Sequence, residues 1–242
     1  MKLAIMQPYF FPYLGYFDLI HNVDLFVVYD TVQYIKHGWI HRNRILHPNK
    51  SDWQYINVPT DKSSFHSSFK TPILDITIFE AKPWREYLLG QLDHYRLHAP
   101  DTNKIINFVG DALSFKLPYI SQLNVHLLEQ VCILLNIGFH YLYASKLDII
   151  LDVNRSAEER ILDLCHFLGA TEYVNLQGGE ALYDIESFNQ NNIRLTFRKL
   201  PPLQYKTRDY MFIQNLSIID VLMWNSPEKI KQYLDAHTAS EE

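Results

Sequence analysis

Two short apolar runs near the N terminus constrain this chain more than any other feature: Lys2 to Met6 (KLAIM) and Asp24 to Asp30 (DLFVVYD). Neither shows the alternation of a half-wetted strand. The second is β-branched and aromatic, as a strand covered on both faces would be. Between them lies a loop stiffened by Pro8 and Pro12 and crowded with Tyr9, Phe10, Phe11 and Tyr13. Gly15 and a short helix over YFDLIHNV follow. Strand, loop, helix, strand is the opening of a parallel sheet, with right-handed crossovers. Ligands of such sheets bind beyond the carboxyl ends of the strands, which places Gln7 and Asp30 at the mouth.

Further along, WQYINVP reads as a strand, DKSSFHSSF as a polar loop and ILDITIF as a half-exposed strand. From Pro83 the spacing turns helical through PWREYLLGQLDHY, NKIINFVGDALSF and ISQLNVHLLEQVCILLN, with Gly138 as the expected C-cap. FHYLYAS resumes as a strand, and Asn154 or Ser156 can cap a helix that ends at Gly169. EYVNL runs into Gln177-Gly178-Gly179, IRLTFRK is one more strand, and two helices precede a frayed TASEE tail. The expectation is α/β: a Rossmann-like, mostly parallel sheet with flanking helices and a helical insertion around residues 80–136. One domain over 1–242 is favoured, and a split at the insertion is the alternative.

Composition limits the function classes. A net charge of −5 gives no general case for nucleic acid or an anionic membrane, and no zinc-finger or RNA-binding pattern makes one locally. No apolar run is long enough to span a bilayer, and the interrupted N-terminal stretch does not read as a secretory signal. Cys132 and Cys165 lie within apolar helical patterns, as core thiols do. The expected location is the cytoplasm. The oligomeric state stays open, a homodimer included.

Three segments could carry chemistry. In Gln7 through Tyr16, prolines and a glycine force a tight strand-to-helix turn whose free N–H groups suit phosphate or carboxylate. Tyr9, Tyr13 and Tyr16 could line a site or serve the core. Tyr13-Leu14-Gly15-Tyr16 stands where nucleotidyltransferases carry an HxGH tetrad, with tyrosine at both histidine positions. The second segment, Thr31 to Ser51, has no acidic residue but holds Lys36, Arg42, Arg44 and Lys50 beside several histidines. Arginine's planar fork fits phosphate bidentately, so Arg42 and Arg44, with Gln33, Trp39 and Asn43, read as ligand-binding. His41 is a candidate acid or base with Asp30 as partner, and Tyr16 completes the candidate catalytic set. The third is Asn175 to Tyr183, where Gly178 and Gly179 turn backbone amides toward the sheet edge and Asn175 and Tyr183 supply polar lining. Histidines lack metal spacing, so no metal is expected; nothing points to a particular cofactor.

Taken together, Met6 to Phe17, Tyr29 to Lys36, Gly38 to Arg44, Asn175 with Gly178, Gly179 and Tyr183, and Leu216 to Met223 resemble the WbqC-like protein family. The resemblance implies a link to bacterial surface-polysaccharide (O-antigen) synthesis. It further implies an aminoacyl or acyl transferase, glycine-type, that modifies a nucleotide-linked amino sugar. The acceptor would be a nucleotide or nucleotide sugar, and the donor aminoacyl-tRNA or an activated amino acid. The alternatives are an adenylate-forming ligase with a degenerate HxGH turn and a non-catalytic sugar-nucleotide binder.

Overall fold

The apolar runs read as buried strands take neighbouring places in one sheet. A computed structural model describes residues 1–65, 71–152 and 154–238. In chain order its elements are β1 (Lys2–Met6), α1 (Leu14–His21), β2 (Leu25–Val28), β3 (Arg42–Leu46), β4 (Trp53–Asn57), α2 (Trp84–Leu92), α3 (Thr102–Leu113), α4 (Ile120–Leu135) and β5 (Tyr141–Tyr143). Then come α5 (Ala157–Phe167), β6 (Glu172–Leu176), α6 (Ile185–Gln190), β7 (Arg194–Arg198), α7 (Ile218–Trp224) and α8 (Pro227–Thr238). Among the described residues the five-stranded sheet has the order β5-β2-β1-β6-β7. Every neighbouring pair in it is parallel. The chain moves outward from β1 through β2 to β5, then crosses back to β6 and β7. Strand order therefore reverses between β1 and β6, and the carboxyl ends of both open on the same edge.

Side-chain alternation along these strands feeds two cores. Leu3, Ile5 and Val27 face Ile161, Leu164 and Cys165 of α5 and Phe188 of α6. Ala4, Phe26 and Val28 face the opposite way, against Tyr16 and Leu19 of α1, Leu128 of α4 and Ile230 of α8. Helices from the 80–136 stretch belong to this second cluster, through Leu88, Val109 and Leu123. Each fully buried side chain of this size contributes about 1.5–3 kcal/mol relative to exposure. Both cysteines are free and buried, Cys132 in the second core and Cys165 in the first.

Several sequence expectations need correction. Trp53–Asn57 is a strand, but it pairs antiparallel with β3 as a separate hairpin, with Arg44 opposite Tyr55. ILDITIF is no regular strand: Ile73–Asp75 is a 3-10 turn, and only isolated bridges at Thr77 and Ile78 follow. Its backbone groups bond to several different segments, with Ile73 N–H on Val32, Leu74 N–H on Asp30 and Ile78 N–H on Pro118. Helix α4 ends not at Gly138 but at Asn136, which takes the left-handed conformation itself (φ 53°) and returns its N–H to Cys132 and Ile133. Ser156 caps α5 in a reciprocal capping box with Glu159, and Gly169, at φ 68°, ends that helix region. After Gln177 the chain makes a 3-10 run before α6 starts. The TASEE reading beyond Thr238, and the DKSSFHSSF reading beyond Phe65, lie outside the described residues. Among those described, no helix is long and apolar enough to cross a membrane.

Candidate functional site

The turn after β1 is held from outside by buried amides and hydroxyls. Phe10, Phe11 and Phe17 are core residues, so the turn is bolted to the interior by its own side chains. Phe11 adopts φ 40°, a strained conformation for a non-glycine residue. Its carbonyl accepts from Asn43 Nδ2 at 2.8 Å and from Ser217 Oγ at 2.8 Å. Asn43 also donates to the Phe10 carbonyl, and Asn124 of α4 donates to the carbonyls of Pro8 and Ile40. Tyr16, wholly buried, donates its hydroxyl to the Gln7 carbonyl at 2.6 Å. Gly15 leaves room for its neighbour: a Cβ there would lie 2.6 Å from the ring of Tyr13, which would have to move aside. The Tyr13 ring thus packs over the first turn of α1, which has no side-chain cap.

Beyond this turn opens a cavity of about 840 Å³. Its floor is the switch point, from Met6 and Gln7 at the end of β1 to Asn175 through Gly179 at and beyond the end of β6. Tyr9, Tyr13, Trp39, Asn43 and Arg44 form one wall, Tyr29, Arg160 and Tyr183 another, and Leu200 to Leu203 with Tyr205 and Gln214 a third. The charge distribution is one-sided. Arg44, Arg160, Arg198 and Lys199 line the cavity, and among the described residues no Asp or Glu does. Arg198 is committed elsewhere, in a buried bidentate pair with Asp18 of α1. The Arg44 guanidinium lies 5.1 Å from the centroids of both Trp39 and Trp53. Its Nε is buried without a hydrogen-bond partner. A cation held beside two indoles, with one long hydrogen bond to the Asn215 carbonyl (3.5 Å) and no ion-pair partner among the described residues, is available to an anion.

The model of the WbqC-like protein family matches residues 7–232, from the first residue of this turn into α8. The chain belongs to the WbqC-like family. It is also 32% identical over 237 residues to uncharacterized protein Rv1507c of Mycobacterium tuberculosis, covering 96% of this chain and 97% of that one. No solved structure matches.

Of the residues picked out in this WbqC-like sequence, the cavity gathers Gln7, Tyr9, Tyr13, Trp39, Asn43, Arg44, Asn175, Gly178, Gly179 and Tyr183. Tyr16, Asp30, Gln33, His41 and Arg42 are not among its lining residues. Asp30 is buried and receives the hydroxyl (2.6 Å) and amide (3.0 Å) of Ser145, tying the end of β2 to the turn after β5. Burial raises its carboxyl and the Ser145 bonds pull it back. His41 is hydrogen-bonded through Nδ1 to the Tyr34 hydroxyl at 2.7 Å. Burial, then the charges of Arg42 and His37, lower its pKa to about 4, so its ring is neutral near pH 7. Arg42 turns onto its own loop, donating to the carbonyls of Gly38 and His37, and lies over the Tyr55 ring. Gln33 bridges to Pro72. Among the described residues no group of His, Cys, Asp and Glu is placed to hold a metal ion.

Sequence reasoning missed Tyr29, Arg160 and Lys199, which also line the cavity. Arg160 sits on the charged face of SAEERILDLC, indistinguishable in sequence from a solvated helix face. Tyr205, in the proline-stiffened LPPLQY stretch, also reaches the cavity and donates to Asp220 at 2.9 Å. Asp220 also accepts from Tyr95 at 2.5 Å. Burial pushes its carboxyl up to about 6 against the pull of those two hydroxyls. The Tyr13 hydroxyl, raised to about 12 by burial and then by Tyr9 and Asp18, stays a proton donor.

Proposed function

We propose that this cavity binds a phosphate-bearing, ring-bearing small molecule of the nucleotide-sugar class, and that the protein transfers an aminoacyl or acyl group to it. One observation carries the reading. A chain of net charge −5 lines a cavity at a sheet switch point with cations and, among the described residues, no carboxylate. The switch-point position also supports a Rossmann-like description of the sheet. Arg44 takes a phosphate, with the free N–H groups at the start of α1 beside it. Tyr9, Tyr13 and Trp39 offer aromatic faces for a base or sugar. In the transfer itself, the amine of the sugar attacks the carbonyl of an activated amino acid or aminoacyl-tRNA. The C–N bond forms, the C–O bond to the donor breaks, and the amine proton passes to the departing oxygen. By holding the phosphate, Arg44 positions the amine for attack, and that positioning supplies the acceleration. His41 and Asp30 are hydrogen-bonded to Tyr34 and Ser145 and do not line this cavity, and no step is assigned to them.

The test incubates the protein with amino-sugar nucleotides and either glycine with ATP or glycyl-tRNA. Mass spectrometry should find the amide, and Arg44→Met should lower its rate at least about a hundredfold while the fold is kept. Tight binding without product for every donor would leave a binding protein rather than a transferase. The buried Tyr16 hydroxyl, spent on the Gln7 carbonyl, is unavailable to a nucleotide phosphate, which disfavours the adenylating alternative.

A further inference from the structure

Arg44 approaches the switch point from the sheet face of α1 and α4, through the hairpin residues Ile45 and Leu46 packed there. Arg160 approaches from the other face. On α5, Ala157, Arg160 and Ile161 fall at i, i+3 and i+4, and all three line the cavity. Among the described residues Arg160 has no ion-pair partner; its Nε makes only a long bond to the Ser156 carbonyl at 3.4 Å. Beside it, Tyr29 at the end of β2 lines the same wall and is only 9% exposed. Its hydroxyl is buried and has no hydrogen-bond partner. The Tyr183 hydroxyl on the same wall lies 3.3 Å from that of Tyr173. Burial raises the Tyr29 pKa, the Arg160 charge lowers it, and Tyr183 and Asp163 raise it in turn, the last a carboxylate already paired with Arg155. Leaving a hydroxyl buried and unpaired is costly unless something else completes it. Gly178, with open space where a Cβ would be, allows close approach to the same wall.

We infer that Arg160 and Tyr29 form a second anion subsite, separate from Arg44, and that the ligand is therefore a nucleoside diphosphate derivative rather than a monophosphate. This rests on the nucleotide-sugar reading above and adds the division of labour. Arg44 holds one phosphate from one side of the sheet, and Arg160 with Tyr29 holds the next from the other. A cavity of about 840 Å³ has room for such a molecule.

Calorimetric titration of the full chain at fixed ionic strength tests it, with inorganic phosphate against pyrophosphate and each nucleoside monophosphate against its diphosphate. The wild type should bind the diphosphate member at least about tenfold more tightly, one charge-assisted contact's worth. Arg160→Gln should shrink that ratio below about threefold while leaving monophosphate affinity within about twofold. Arg44→Gln should weaken both members. Tyr29→Phe, which keeps the packing, should also lower the ratio without lowering the unliganded Tm. Equal binding of both members by the wild type, or a ratio untouched by Arg160→Gln and Tyr29→Phe, would overturn the second subsite and leave the nucleotide reading standing. If no phosphate or nucleotide binds at all, both fall together.

Discussion

Gly15 and Tyr13 show how a single atom governs the site. The ring that a Cβ at residue 15 would strike covers the first turn of α1, and that turn opens on the cavity. Alanine suits a helix better than glycine by about 1 kcal/mol, so the fold has no objection to Gly15→Ala. The Tyr13 ring does, because it must swing away. The expected outcome is urea stability within about 1 kcal/mol of wild type, with nucleotide affinity weakened roughly tenfold or more, about 1.4 kcal/mol, by calorimetry. Unchanged affinity would mean that the Tyr13 ring does not shape the binding surface. Arg44 follows similar logic. Its contacts with Trp39 and Trp53 and a long bond to the Asn215 carbonyl hold the guanidinium in place without an ion-pair partner among the described residues, so its side chain is preorganised for an incoming anion.

At the level of elements, the hairpin of β3 and β4 works as a clamp on the strained turn. Asn43 on β3 closes the carbonyls of Phe10 and Phe11, and the next residue carries the Arg44 fork. Removing the amide strands those buried acceptors, although Ser217 still reaches Phe11. Asn43→Ala should therefore cost about 2–3 kcal/mol in urea denaturation with an unchanged m value, since the unfolded chain exposes the same surface. Ligand affinity should fall with it. A loss below about 0.5 kcal/mol would show that the turn keeps φ 40° at Phe11 without the hairpin. The sequence marks Asn43 only as a polar residue in a basic stretch. Its role as an anchor depends on a hydrogen bond across 32 residues, which local patterns do not record.

On the scale of the molecule, Asp220 is where distant segments meet, with Tyr95 and Tyr205 donating to it from the middle and the late chain. Its carboxyl, near 3.9 when unfolded, is raised to about 6 by burial when folded. A raised folded pKa stabilises the protein below pH 4 and loses that contribution as pH climbs through 6. Asp220→Asn, which does not titrate, should thus lose ground to the wild type at pH 4 and recover it by pH 6.5. Thermal unfolding of both proteins across that range measures it, and a gap that widens with pH would contradict the assignment. The parallel sheet was legible from KLAIM and DLFVVYD, because strands buried on both faces are apolar along their length; EYVNL and IRLTFRK carry polar residues and were legible only as strands. The Gln7–Tyr16 turn was legible because proline, glycine and aromatic residues restrict the backbone locally, and a linear motif keeps those restrictions in order. The sequence by itself thus determined the α/β framework, the family and most of one cavity wall. Only the tertiary structure decided that Arg44 enters the cavity while Arg42 turns onto Tyr55, since residues two apart differ only in what packs around them. It alone also brought Arg160 and Tyr29 to the same opening, because strand order, and with it the place where β1 meets β6, is set by packing between segments far apart in the chain.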